Sequence, residues 1–86
     1  MNKTEIKKSN TRKIVDMLIK EYNIHTIERD NQYIRFWMGD GWVQGSLDTR
    51  DFNVDLVDLN DEYNKPIGLS GVENNINKKV RELVAS

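Results

Sequence analysis

Residues 33–48, YIRFWMGDGWVQGSLD, constrain the fold more than any other part of the chain. They read as two strands joined through a glycine-flanked turn. Side chains alternate along a strand with a period of two, so the parity of the turn decides which of them share a face. Asp-Gly and Gly-X are both favoured at the centre of two-residue hairpin loops, and both occur here. With Asp40-Gly41 as the turn, Met38 opposes Val43, Trp37 opposes Gln44, Phe36 opposes Gly45, Arg35 opposes Ser46 and Ile34 opposes Leu47. With Gly39-Asp40 instead, Trp37 opposes Trp42. Either choice leaves Ile34, Phe36, Met38, Val43 and Leu47 on one face. The other face then carries Tyr33, Arg35, Trp37, Trp42, Gln44 and Ser46. A three-residue loop would pair Trp42 with Met38 and turn Val43 and Leu47 outward, which the hydrophobic pattern disfavours.

The remaining elements follow from local signals. Residues 1–8 read as a flexible basic tail, and residues 9–86 as a single domain. Ser9 and Asn10 are good N-caps for a first helix whose apolar stripe is Ile14, Val15, Leu18 and Tyr22. Asn23 suits its end because it tolerates the left-handed conformation. IHTIERD is a weak strand with imperfect alternation. FNVDLVDL places Phe52, Val54 and Leu56 on one face of a fourth strand. A polar loop containing the only proline follows. Ser70 and Glu73 have the spacing of a capping box before the stripe Val72, Ile76, Val80, Leu83 and Val84. The expected fold is a two-layer α+β domain of order α-β-β-β-β-α, with an antiparallel meander sheet and both helices on one face. Nothing in the chain supplies a third layer for the other face.

A chain of 86 residues buries roughly 60–65% of the surface it exposes unfolded, enough for one modest core. It has no cysteine, which excludes disulfides and thiolate chemistry and fits a reducing cytoplasm. No stretch is apolar enough for a membrane span, and the N-terminal lysines precede no apolar leader, so a cytoplasmic protein without membrane contact is expected. Asn, Lys and Ile make up 26 of the residues, a usage favoured in AT-rich bacterial, phage or mobile-element genes. The net charge of −1 conceals segregation. Residues 1–20 carry six Lys/Arg against two acids, a net of +4. Residues 40–62 carry seven acids against Arg50, a net of −6.

Candidate chemistry is sparse. Asp51, Asn53, Asp55 and Glu62 match part of a calcium-loop spacing, but Leu56 stands where that loop needs glycine, and strand alternation explains the same residues. His25 is the single histidine, with no companion acid or nucleophile in the sequence, which makes a His-dependent hydrolase the weakest reading. The GDG and GLSG stretches lack the lysine and helix entry of a phosphate-binding loop. No cofactor and no metal are implied, and a non-enzymatic protein is expected.

In element order the chain resembles a double-stranded-RNA-binding domain. That family places a basic cluster at the start of its second helix. Here the position holds Val72, Glu73 and Asn74, and Lys78, Lys79 and Arg81 come later, so the resemblance carries over no binding residues. The expected function is protein binding, to another protein or a second copy, through the face bearing Tyr33, Arg35, Trp37, Trp42 and Gln44. One alternative is single-stranded nucleic-acid binding by the same aromatics plus the basic tail, Lys3, Lys7 and Lys8. Another is an inhibitor of a host nuclease, of the anti-restriction or anti-CRISPR kind, in which Asp48, Asp51, Asp55, Asp58, Asp61 and Glu62 mimic phosphates.

Overall fold

A computed structural model describes residues 3–39, 41–60 and 67–85. Helix α1 (Lys3–Tyr22) leads into strands β1 (Ile24–Asp30), β2 (Tyr33–Met38), β3 (Val43–Asp48) and β4 (Val54–Asp58), and helix α2 (Ile67–Ala85) closes the chain. The strands form one antiparallel sheet in the order β1-β2-β3-β4, a meander. Ile14 and Leu18 of α1 and Ile76 and Val80 of α2 share a single core with Ile24, Ile34, Phe36, Leu47, Val54 and Leu56. Both helices therefore cover the same sheet face, and the expected two-layer α+β architecture is the one observed. Among the described residues no helix is long and apolar enough to cross a membrane.

The β2–β3 register pairs Met38 with Val43, Phe36 with Gly45 and Ile34 with Leu47, as an Asp40-Gly41 turn requires. The connection opens further than a two-residue loop, because pairing stops at Met38 and Val43. The amide of Gly41 bonds the carbonyl of Met38 at 3.0 Å, and Gly39 and Gly41 both have positive φ. Trp42 stands in this connection, and its carbonyl accepts the amide of Leu59.

Phe36 is the largest fully buried side chain, and its ring lies across the backbone of Gly45 on the neighbouring strand. A Cβ at Gly45 would fall inside that ring and also crowd Leu56. The glycine is thus the gap into which the central core residue fits.

The two edges of the sheet are managed differently. Val54 and Leu56 turn main-chain groups away from β3, and α2 meets them with side chains. Asn77 accepts the Val54 amide at 2.8 Å and donates to the Val54 carbonyl at 2.9 Å, and Glu73 accepts the Leu56 amide at 2.9 Å. An unpaired strand edge is a template for aggregation, and this one is sealed. The other edge, β1, is blunted instead. Its register slips between His25 and Glu28, Thr26 has φ of 51°, and every residue after Ile24 is exposed. The bulge explains the imperfect alternation of IHTIERD: Ile24 and Ile27 both face the helices although three residues apart.

Three local expectations need correction. Helix α1 begins at Lys3, so residues 3–8 of the expected tail are helical and Ser9 and Asn10 are interior. Glu5 in its first turn meets the amide end of the helix dipole and is the signal that an earlier start was available. Helix α2 begins at Ile67, three residues before Ser70. Ser70 is therefore interior to the helix, and Glu73 accepts the Leu56 amide from β4. The end of α1 is as expected, with Asn23 at φ 53°.

Two glycines of this chain should respond oppositely to alanine. Gly45→Ala overpacks the core and should cost about 1–3 kcal/mol, lowering the melting temperature by roughly 4–8 °C per kcal/mol. Gly71→Ala meets nothing within 4 Å on helix α2 and should stabilise by roughly 0.5–1 kcal/mol. Urea denaturation of the two variants measures both.

Candidate functional site

Strand pairing puts the side chains of directly opposed residues on one face, so the uncovered face can be read from the register. It carries His25, Glu28 and Asp30 from β1 and Tyr33, Arg35 and Trp37 from β2. Gln44, Ser46 and Asp48 follow from β3, and Asp55 and Val57 from β4. A shallow depression of about 590 Å³ lies over its β2–β4 part, lined among others by Tyr33, Arg35, Gln44, Ser46, Asp51 and Asp55. The small side chain of Ser46 and the backbone of Gly45 make its floor low.

The predicted partner face is therefore real as a face but is divided in three. Tyr33, Arg35 and Gln44 border the depression. Trp37 is half-buried on the same strand, four residues and roughly 13–14 Å from Tyr33, flanked by His25 and Gln44. Trp42, 53% exposed, projects from the hairpin connection and pairs with neither. Neither tryptophan lies beneath a helix. Arg35 is paired with Asp30 at 2.9 Å, a surface ion pair worth little to stability.

The acidic residues do not form the row that their spacing suggests. Asp48 accepts the amide of Arg50, Asp51 that of Asn53 and Asp58 that of Asn60, each at 2.8 or 2.9 Å. These are three successive Asx turns, the local bonding by which aspartate favours turns over strands. Asp48, Asp51 and Asp55 border the depression, whereas Asp58 opposes Val43 at the far end of the sheet and falls on the helix side. Asp61 and Glu62 lie outside the described residues.

The loop between β3 and β4 is held unusually firmly. Phe52 has φ of 59°, a conformation that costs a residue with a Cβ roughly 1–2 kcal/mol. Its amide bonds the Asp48 carbonyl at 2.7 Å, and Arg81 of α2 donates to the carbonyls of Asp51 and Phe52 at 3.0 and 3.1 Å. The Gln32 carbonyl accepts both the amide and the hydroxyl of Thr49. Arg81 and Thr49 escaped sequence reasoning, because their partners are carbonyls set by the loop conformation and not by residue type.

His25 sits between β1 and the hairpin connection. Its Nε2–H donates to the Gly39 carbonyl at 2.9 Å, and Nδ1 meets the Thr26 hydroxyl at 2.9 Å. Both ring nitrogens are thus occupied by structural partners, and neither partner is a carboxylate. Among the described residues no group of three or more His, Cys, Asp or Glu side chains is placed to hold a metal ion.

The cations expected to assist the aromatics lie elsewhere. Lys8 belongs to α1, on the opposite side of the sheet from Tyr33 and Trp37, beside Val15 and Ile34. Comparison with protein families, with curated proteins and with solved structures returned no match, so the site is interpreted from its own geometry.

Hydrogen bonding from the Arg50 amide, helped by its guanidinium and by Gln32, holds the Asp48 carboxyl below its ordinary value of 3.8 against an opposing contribution from burial. A depressed folded-state value stabilises the loop above the unfolded value, and that stabilisation is lost as pH falls through the folded one. NMR titration of the Asp48 carboxyl should give a midpoint below 3.8, with the Arg50 amide resonance moving in step. Asp48→Asn should remove the pH dependence of that amide.

Proposed function

We propose that this chain is a non-enzymatic protein-binding domain that acts through its uncovered sheet face. The observation that carries the reading is the depression on that face. It sets Tyr33 among Arg35, Asp48, Asp51 and Asp55, with Trp37 beyond its border on the same strand, on a layer that neither described helix covers. Aromatic rings supply contact area at low entropic cost, and the surrounding carboxylates supply direction. Glu28, Asp30, Asp48, Asp51 and Asp55 outnumber Arg35 there, so the favoured partner presents a basic surface.

Single-stranded nucleic acid is the weaker reading on the same observation. Base stacking on Tyr33 and Trp37 would bring phosphates against those carboxylates, with Lys8 and Arg12 on the far side of the sheet. Phosphate mimicry draws support from three carboxylates at the depression. Two of them, Asp48 and Asp51, already serve as turn acceptors, which explains their presence without a nuclease partner.

The test is an affinity measurement against the partner recovered by the immobilised domain from its own cell, or against a second copy if the domain self-associates. The double substitution Tyr33→Ala, Trp37→Ala should weaken binding by at least tenfold while the melting curve stays cooperative. Unchanged affinity in a folded double variant overturns the proposal.

A further inference from the structure

The helix side of the sheet is incompletely covered at one corner. Helices α1 and α2 bury Ile24 and Phe36, but a groove of about 620 Å³ remains between α1 and the β1–β2 corner that carries Ile27, Arg29 and Ile34. Its floor is aliphatic: Val15 from α1, Ile27 from β1 and Ile34 from β2. Ile27 is 42% exposed although it faces the helix layer, so apolar surface that a third element would normally cover is left in water.

The rim is cationic. Lys8 and Arg12 stand on α1, Arg29 on β1 and Arg50 on the β3–β4 loop, with Asp16 the single acid among the lining residues. Two of the four are held by the fold: Arg29 donates to the Asn31 carbonyl, and Arg50 pairs with Asp48 at 3.5 Å. Lys8 and Arg12 stand side by side on the α1 wall of the groove, on successive turns at the i, i+4 spacing of neighbours. The β1 bulge is what creates the combination. By inserting a residue it brings Ile27 and Arg29 together onto the helix side, which regular alternation from Ile24 would not do.

An aliphatic floor inside a cationic rim selects for a ligand with both an apolar stripe and negative charge. No aromatic side chain lines it, so it offers bases nothing to stack on, and its aliphatic floor matches Leu, Ile or Val side chains. We infer that this groove is a docking site for an acidic amphipathic helix of a partner protein, separate from the open sheet face. The apolar stripe of the helix would lie on Val15, Ile27 and Ile34, and its flanking carboxylates would meet Lys8, Arg12, Arg29 and Arg50.

The experiment titrates the full chain with four probes: a synthetic amphipathic Leu/Glu helix, its Leu/Lys twin, oligo-dT and phosphatidylglycerol vesicles. The Leu/Glu peptide should bind saturably and the Leu/Lys twin should not. Arg12→Glu and Ile27→Ser, both exposed and outside the core, should each weaken the Leu/Glu peptide about tenfold. The Tyr33→Ala, Trp37→Ala variant should bind it as the parent does, which separates this site from the open face. The inference is overturned by equal binding of the twin, by unchanged affinity in both groove variants, or by tighter binding of oligo-dT or vesicles. Loss of peptide binding in the Tyr33→Ala, Trp37→Ala variant overturns it equally.

Discussion

Three main-chain groups that β4 turns away from β3 are taken by Glu73 and Asn77 of α2, and the seating of that helix on the sheet follows from this bonding. An amide and a carbonyl left dry at a sheet edge would each cost on the order of 1–3 kcal/mol. Asn77 answers both groups of Val54, and Glu73 answers Leu56, so α2 is fastened along β4 at a fixed height and angle. Its stripe then meets Val54 and Leu56 from the side that also holds Ile14 and Leu18 of α1. Lys79 strengthens the join between helices, pairing with Glu21 at 2.7 Å and lying over the Tyr22 ring. With both helices committed to one side, no element remains for the other.

Much of this was legible in the sequence, and what was legible depended on period. The hairpin register, the core membership of Phe36 and Leu47, and the outward placement of Tyr33 and Trp37 all follow from counting residues around a turn. Asn23 announced the end of α1 because few other residues adopt its conformation cheaply. The helix starts were misjudged for the complementary reason. Ser9, Asn10 and Ser70 are competent caps, but capping contributes only about 1 kcal/mol, and packing overrides it. Glu73 shows this most clearly. The capping-box spacing is present, yet its carboxylate is recruited by an amide seventeen residues away in sequence.

Which strand side chains share the open face was legible, and their arrangement across it was not. Tyr33, Arg35 and Gln44 gather at one depression, whereas Trp42 is carried off by a loop wider than two residues. The acidic run read as a surface because charge is visible in sequence and hydrogen bonding is not. Asp48, Asp51 and Asp58 recur at turns because each closes one, and the negative face is partly a by-product of building tight connections. The groove beside α1 could not be foreseen at all, since it depends on a bulge that shifts Ile27 and Arg29 by one residue.

Those same turns and that helix leave the domain electrically lopsided. Arg50 is paired with Asp48, but Asp51 and Asp55 border the bare side of the sheet and Lys8, Arg12 and Arg29 the other, across a slab about 10 Å thick from sheet to helix axes. That separation matches the Debye length near physiological salt, so the two poles do not cancel for a partner approaching closely. A chain with almost no net charge therefore presents a locally acidic and a locally basic side among its described residues. A charged surface brought within that distance meets one side or the other, and not the near-zero total.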